Sequence, residues 1–538
     1  MYRFVSIDDC KARYLNGTTP TPNPGLGPLI ISYSQCLHVC GTGWGTYPIW
    51  EVVSALTDWV IPLFLLLGNI TYSKSASRVF KIGNFNCGAW LNWVAVISHL
   101  LVNPLDFLWN LALKLDSGHE IRERVDRIEI MRPEISMIDE EKKYLCGICY
   151  ALEDFESGIH VETLLRPLEE GSHFEASSHW EAMRPLLEST ARNIAGDRKH
   201  NKFHSILAIT VYGKDVFVAL LQSKFDATFP YHMPHTLALR QLYYWLFCAI
   251  ILSGAAGGFA DQWSSHAFLN TFLAGRLKNL KRTAMRKAFR YEEIVLRPIE
   301  PWDGGDYSWK YPKRGQKPQM TRRQKLLLLP AIAAVALPVV IAFIMSWFTP
   351  TIGLGDRGIG ELSFAGMWIL NFFITLFASS IWREDKLFKI YIWNTFWSIG
   401  SLYILFGAFQ GWYNNCASWS GFYSRGAAAA YIDLNMRTTI QNHIFTFYLP
   451  ITAGSLVIQL CIAGFVMWIN WEVIEFTVWS DKENREFFER HRGEEVMVVE
   501  MVPVESQEEQ LKVGLMVSER ELPGVESEEW SVSFEDQE

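Results

Sequence analysis

The sequence predicts an all-α protein. Its core is a polytopic bundle of transmembrane helices with seven crossings, or eight if one further apolar segment also spans, joined to a helical soluble insertion and a disordered acidic tail. Three observations carry this reading. Apolar residues make up 49% of the 538-residue chain and gather into long runs. Four runs, Leu326–Phe348, Leu362–Trp382, Ile390–Trp412 and Ile444–Trp471, contain no charge, and a helix needs only roughly 20 residues to cross about 30 Å of hydrocarbon. Charge is segregated as well: residues 261–325 hold 15 Lys+Arg against 6 Asp+Glu, and residues 481–538 hold 6 against 18. This pattern excludes a secreted disulfide scaffold, a nucleic-acid binder built on one basic domain, and a wholly disordered chain.

Taken in order, residues 1–49 form an outer N-terminal segment. It lacks the pattern of a secretory signal peptide, so the first span is expected to direct its own insertion. That span, residues 50–70, contains Asp58 and has Glu51 at its mouth. Residues 88–114 are an apolar membrane-associated segment. Gly88–Leu105 is uncharged but short, and Pro104 interrupts it, so it reads as a span, a re-entrant piece or a surface helix. Residues 115–202 form an acidic helical soluble module, with 19 acids against 11 Lys+Arg between 116 and 201. Its apolar positions Ile121, Val125, Ile128 and Leu164, Leu165, Leu168 repeat at helical spacing, and Glu120/Arg124 stand four apart. Residues 203–260 supply two spans: Ser205–Gln222, which carries Lys214 and Asp215, and Gln241–Ala260, whose small residues let helix backbones approach. A basic cytoplasmic segment, 261–325, precedes the four spans of 326–471, and 472–538 is the acidic cytoplasmic tail.

Lys and Arg mark cytoplasmic flanks. The basic 261–325 segment therefore lies inside, and the crossings that follow put the C-terminus inside too. Lys74, Arg78 and Lys81 after the first span place the N-terminus outside. That requires an odd number of crossings, and Gly88–Leu105 is the segment best read as incomplete.

Within this frame a few residues stand out. Asp58, with Glu51 and Arg240 as neighbours or partners, is expected to face the bundle interior as an ion or proton site, or to be a structural pair. Lys281, Arg282, Arg286, Lys287 and Arg290 lie along an amphipathic stretch, 268–291, and fit an anionic inner leaflet or the cytoplasmic ends of the spans. Asn16-Gly17-Thr18 is the usable glycosylation sequon, since Asn69 falls at the cytoplasmic end of a span. Cys10, Cys36, Cys40 and Cys416 lie outside and permit two disulfides in three connectivities, in each of which Cys416 joins the N-terminal segment. Cys146 and Cys149 have metal-ligand spacing, but no second Cys pair follows, and His160 and His173 are irregularly placed, so no metal site is assigned. The glycines of Gly353–Gly360 sit in a short outer loop rather than between a strand and a helix, which argues against a phosphate loop. The chain also lacks the Asp-Arg-Tyr of G-protein-coupled receptors.

Three stretches carry a resemblance: Cys40-Gly-Thr-Gly-Trp-Gly-Thr-Tyr-Pro-Ile-Trp-Glu51, Trp59-Val-Ile-Pro-Leu-Phe-Leu-Leu-Leu-Gly-Asn69 and Asn103-Pro-Leu-Asp-Phe-Leu-Trp109. The first half of the chain resembles uncharacterised multi-pass integral membrane proteins of filamentous fungi that have no assigned activity. The resemblance implies an architecture and supplies no site. The expectation is then a transporter-like or channel-like protein of the plasma membrane or an endomembrane, not an enzyme, with no cofactor and no nucleic-acid partner. Anionic inner-leaflet lipid is its expected partner. The alternative is a non-catalytic scaffold or sensor that recruits protein partners through its acidic modules.

Overall fold

The computed structural model describes residues 6–16, 29–46, 97–152, 159–225, 233–256, 268–276, 321–381 and 387–471, with isolated positions that include Lys81–Ile82, Phe85–Asn86 and Val473. The N-terminal segment holds α1 (Ile7–Leu15), β1 (Ile30–Ser32) and α2 (Tyr33–Val39). A small hairpin follows, β2 (Lys81–Ile82) with β3 (Phe85–Asn86). A helical stretch at 97–102 gives way to α3 (Pro104–Met131), α4 (Asp139–Leu152), α5 (Ile159–Glu170) and the 53-residue α6 (His173–Phe225). Next come α7 (Met233–Leu242), α8 (Trp245–Ala255), α9 (Arg322–Leu326), α10 (Leu328–Phe348), α11 (Asp356–Ile381) and α12 (Leu387–Gln410). The last elements are α13 (Cys416–Ser420), α14 (Phe422–Ala429), β4 (Tyr431–Asp433), α15 (Met436–His443) and α16 (Leu449–Ile469), the last two joined by a π-helical turn at Ile444–Tyr448.

Helices Leu237–Ala255, Arg322–Phe348, Asp356–Phe377 and Thr438–Ile469 are long and apolar enough to cross a membrane. The first is enclosed by protein over 89% of its apolar stretch, so by itself it would pass for a buried core helix. The other three bury only 28 to 39% and turn Leu329, Val340, Ile369, Phe373, Val457 and Phe465 outward. Water rejects a belt of that kind and lipid accepts it, as in a membrane protein. Helix α12 is 24 residues long and also exposes Ile392, Phe396 and Ile399. Its Trp, Tyr and Asn residues lower its hydropathy, and it is not among the four.

Hydrogen bonds fix the ends of the bundle. Thr349 Oγ1 lies 3.1 Å from Tyr448 Oη, joining the end of α10 to the start of α16. At the opposite end Arg323 Nη2 donates to Asn470 Oδ1 at 3.1 Å, so α10 and α16 run antiparallel. Inside the bundle α10 packs on α7 and α8 packs on α16. Gln241 on α7 donates to Ser455 on α16, and Gln459 Nε2 on α16 donates to the Ala334 carbonyl on α10 at 2.9 Å. Such bonds join helices where the hydrophobic effect offers no preference between lipid and protein.

The acidic module is built on the far half of α3. The change from apolar to charged sequence near residue 114 falls within this one helix, because its first half is buried against α8 and α10 and its second carries α4 and α5. Ile121, Val125, Ile128, Leu164, Leu165 and Leu168 are all buried, as their spacing requires. Arg124 takes different partners from those its spacing suggests. It binds Glu162 at 2.7 Å and Glu169 at 2.9 Å on α5, while Glu120 accepts from Gln324 at 2.9 Å. An exposed pair four apart contributes only a few tenths of a kcal/mol, so a bidentate carboxylate on a neighbouring helix outcompetes it. Residues 205–222 are the continuation of α6, one unbroken helix with the module.

At the opposite end of α10 from this module a cap is formed by chain segments far apart in sequence. Strand β1 pairs antiparallel with β4, Ile31 opposite Ile432. Cys10 is bonded to Cys40 and Cys36 to Cys416, around Ile7, Ile31, Trp419 and Ile432. The strands depart from the all-α expectation. At three residues each they are too short to show alternation, and they pair across about 400 residues of chain. The α10–α11 loop is pressed into this cap: an added Cβ at Gly355 would stand 2.4 Å from the Ser418 carbonyl oxygen, and Gly353 takes a positive φ of 134°. Those two needs account for Gly353 and Gly355.

Two predictions follow from the module. A Cβ at Gly118 would stand 2.7 and 2.8 Å from the Val473 methyls. Helix propensity alone would make Gly118→Ala stabilising by about 1 kcal/mol. Overpacking should reverse the sign, with thermal unfolding showing a net loss of about 1–2 kcal/mol that Val473→Ala relieves. His179 is buried on α6; burial, with Arg276 adding to it, holds its imidazole well below the ordinary 6.5. The folded state therefore refuses a proton that the unfolded state takes up. Stability is full above pH 6.5 and falls below it by up to about 1.4 kcal/mol per pH unit. Hydrogen-exchange protection factors in α5 and α6, which are corrected for the slower intrinsic exchange in acid, should fall on acidification, and in His179→Gln they should lose that dependence.

Candidate functional site

The most polar place in the bundle interior is a broken helix. Residues 97–102 are helical, Asn103 leaves the helix at φ −137° and ψ 56°, and α3 starts afresh at Pro104. Pro at the first helical position costs nothing, since its missing N–H would have had no partner there. Asn103 caps the new helix by accepting the Asp106 N–H at 3.3 Å. Its Nδ2 donates to Thr375 Oγ1 on α11 at 2.8 Å.

A break leaves the last carbonyls of the first piece without helical partners. Side chains of α11 and α12 supply donors to them. Ser398 Oγ bonds the Ser98 carbonyl at 2.8 Å, Trp368 Nε1 the Leu101 carbonyl at 2.9 Å, and Asn371 Nδ2 the Val102 carbonyl at 3.2 Å. Trp393 Nε1 in turn donates to Asn371 Oδ1 at 2.7 Å, which orients that amide.

This frame encloses an ionisable pair. His99 and Asp106 are both fully buried, with Nε2 and Oδ2 3.3 Å apart. Asn394 Nδ2 stands 2.8 Å from His99 Nδ1. With the amide as donor, Nδ1 is the acceptor, and Nε2 faces the Asp106 carboxylate. Asn110 Nδ2 donates to Asp106 Oδ2 at 3.2 Å. Among the described residues neither Asn110 Oδ1 nor Asn394 Oδ1 has a hydrogen-bond partner. A buried carboxylate beside an imidazole, each held by an amide whose oxygen has spare acceptor capacity, is chemistry that can hold a proton, and the carboxylate can also meet a small hard cation.

The expected site residues fall differently. Asp58 and Glu51 lie outside the described residues. Arg240 is buried at the C-terminal end of α7, beside Gln241 and a second helix interruption at Tyr243–Tyr244. Lys281, Arg282, Arg286, Lys287 and Arg290 also lie outside the described residues. The start of that amphipathic stretch, 268–276, buries Leu269, Phe272 and Leu273 against the module, with Arg276 donating to the Thr163 carbonyl at 3.4 Å. Asn16 is exposed at the end of α1. Cys146 and Cys149 are buried on α4, and burial pushes the Cys146 thiol up to about 12, which suits a core residue and not a ligand. Among the described residues the one cluster with metal-ligand spacing is Cys36, Cys40 and Cys416, and all three are in disulfides.

His99 and Asp106 were not singled out from sequence. One signal was present: Asn103-Pro104 followed by Asp106 is a helix N-terminus, with a cap, Pro at the first position and an acid at the third. Compared with models of known families, with curated proteins and with solved structures, the chain matches none.

The cap bond gives a prediction. Asn103→Ala should destabilise the protein by about 1–2 kcal/mol. Combined with Thr375→Val in a double-mutant cycle in detergent unfolding, it should show a coupling of roughly 0.5–1.5 kcal/mol. Strict additivity would mean that the Asn103–Thr375 bond does not hold the break.

Proposed function

We propose that the chain is a transporter-like or channel-like membrane protein in which the His99–Asp106 pair binds the transported or coupling proton or cation. The supporting observation is the complete burial of this pair at a helix break inside the bundle. A carboxylate at such depth costs on the order of 3 kcal/mol unless it is paired or has a role, and such groups mark ion and proton pathways. Broken helices whose ends meet near mid-bundle are the common way to build these sites. The finer topology belongs to the same proposal: α10, α11, α12 and α16 cross in alternation, three further crossings complete seven, the cap lies outside, and the module and basic segment face an anionic inner leaflet.

The test is reconstitution of the full chain in sealed vesicles carrying a pH-sensitive dye, under imposed proton and potassium gradients. Flux above that of empty vesicles is expected, and Asp106→Asn, purified as a monodisperse protein, should reduce it to the empty-vesicle level. Flux equal to that of empty vesicles under all gradients favours the second reading, a scaffold that recruits partners. One observation supports that reading: Ile130, Met131, Ile138 and Phe174 are exposed at the tip of the acidic module.

A further inference from the structure

We propose that Glu361, behind the cleft between the α10–α11 loop and the disulfide cap, takes up a proton from the cap side through the Ser346 hydroxyl. Glu361 stands on the second turn of α11 and is 1% exposed. Ser346, near the end of α10, donates its hydroxyl to Glu361 Oε1. Oε2 is buried with no hydrogen-bond partner among the described residues. Ser346 itself lines the cleft, together with Thr349, Thr351, Arg357 and Ser418. The carboxyl thus lies one hydrogen bond behind a polar opening at the end of the bundle.

A lone buried carboxyl is costly as an anion and tolerable as an acid, so its charge follows the protons that reach it. The surrounding charges do not lock it in either form. Arg357 on the same helix is the one charge acting on it among the described residues, and its guanidinium also stacks 4.2 Å over the Trp419 ring. Asp356 is engaged by Asn415 Nδ2 at 2.7 Å and Ser418 Oγ at 3.0 Å. Of the helices packed against α11, α3 carries Asp106, Lys114, Asp116 and the charged residues beyond them, α7 carries His235 and Arg240, α12 carries Lys389, Tyr391 and Tyr403, and the apolar stretch of α10 carries none. Tyr448 on the π-turn is paired with Thr349.

The step balances simply. Ser346 Oγ gives its proton to Glu361 Oε1 and takes one from a hydronium in the cleft, so the net change is carboxylate plus proton to carboxylic acid. No electron moves. The step deepens the transport reading, because it supplies a second proton-binding group at the other end of α11 from the helix break.

The experiment is infrared difference spectroscopy of the full chain in lipid vesicles between acid and alkaline buffer on the cap side. A protonated-carboxyl band that grows on acidification, shifts in heavy water and is lost in Glu361→Gln is expected. Ser346→Ala should keep the band but slow its equilibration with the buffer by on the order of a hundredfold or more. Should Glu361→Gln fail to fold, Glu361→Asp, which should move the band in frequency, identifies it and Ser346→Ala carries the test. Identical spectra for wild type and Glu361→Gln would overturn the proposal, as would a band that follows sodium or potassium at fixed pH, or unchanged kinetics in Ser346→Ala. The readout is the carboxyl and not flux. Loss of flux with a titrating Glu361 would fail the transport reading alone, and a silent Glu361 in a flux-competent protein would fail this proposal alone.

Discussion

A bilayer offers no water to an open backbone group, so a helix that breaks inside one must find its hydrogen bonds on its neighbours. Much of the bundle interior depends on how this is done at Asn103. The carbonyls of Ser98, Leu101 and Val102 take donors from Ser398, Trp368 and Asn371, and the new helix is capped by Asn103 itself. Those donors stand on α11 and α12, which are thereby held against the break by specific bonds as well as by shape. The polar residues that stabilise the backbone also enclose His99 and Asp106. Structural need and chemical potential coincide at one place, and neither can be altered without disturbing the other.

The cap sets a second constraint, from the other end. Its own small core is separate from that of the bundle, and it joins chain segments that hydrophobic burial alone would hold weakly. Cys36–Cys416 closes a sequence separation of 380 residues, and Gly45 N–H bonds the Asn414 carbonyl at 2.8 Å beside it. Through Ser418 and Ser424 the same cap grips the α10–α11 loop, where Leu354 N–H donates to Ser424 Oγ at 2.9 Å. The ends of α10 and α11 are consequently fixed relative to the N-terminal segment. The other end of the bundle is held by longer polar side chains, Arg323 with Asp116 at 2.7 Å and Trp109 Nε1 with the Gln324 carbonyl at 3.1 Å.

What was legible in the sequence follows from the range of the interactions. The apolar runs declare themselves because lipid acts on every residue in them, and α10 matches its run, Leu326–Phe348, to within two residues. The module's buried stripe was legible for the same reason, since Val125, Ile128 and Leu165 repeat with the helix. Capping is local too: in the structure Ser32 with Gln35 and Thr321 with Gln324 both form reciprocal boxes, which were not singled out from sequence. The site was not legible. A single His in an apolar run has the appearance of an ordinary core histidine, and its partner Asn394 stands 295 residues away. The continuity of α3 through the change in composition at 114 was hidden as well. Composition reports the solvent around a residue, and one helix can pass from bundle interior to water without ending.

Helix α11 connects these two ends mechanically. Glu361 lies near its start, and Asn371 and Thr375 lie 10 and 14 residues further on, about 15 and 21 Å along a helix axis. Between them Phe364, Met367 and Trp368 are buried and fill the interior. A proton or cation moving from one polar site to the other would have to pass this apolar stretch. Trp368 belongs to both features, because its ring is part of the plug and its Nε1 holds the Leu101 carbonyl at the break. Tyr243 meets that ring edge-on at 6.1 Å, beside the second interruption between α7 and α8. A shift at either break would therefore bear on the tryptophan, which the proposed transport reading sets between the two polar sites. The bonds that make a broken helix tolerable in lipid also tie its backbone to the buried apolar residues between Glu361 and the His99–Asp106 pair.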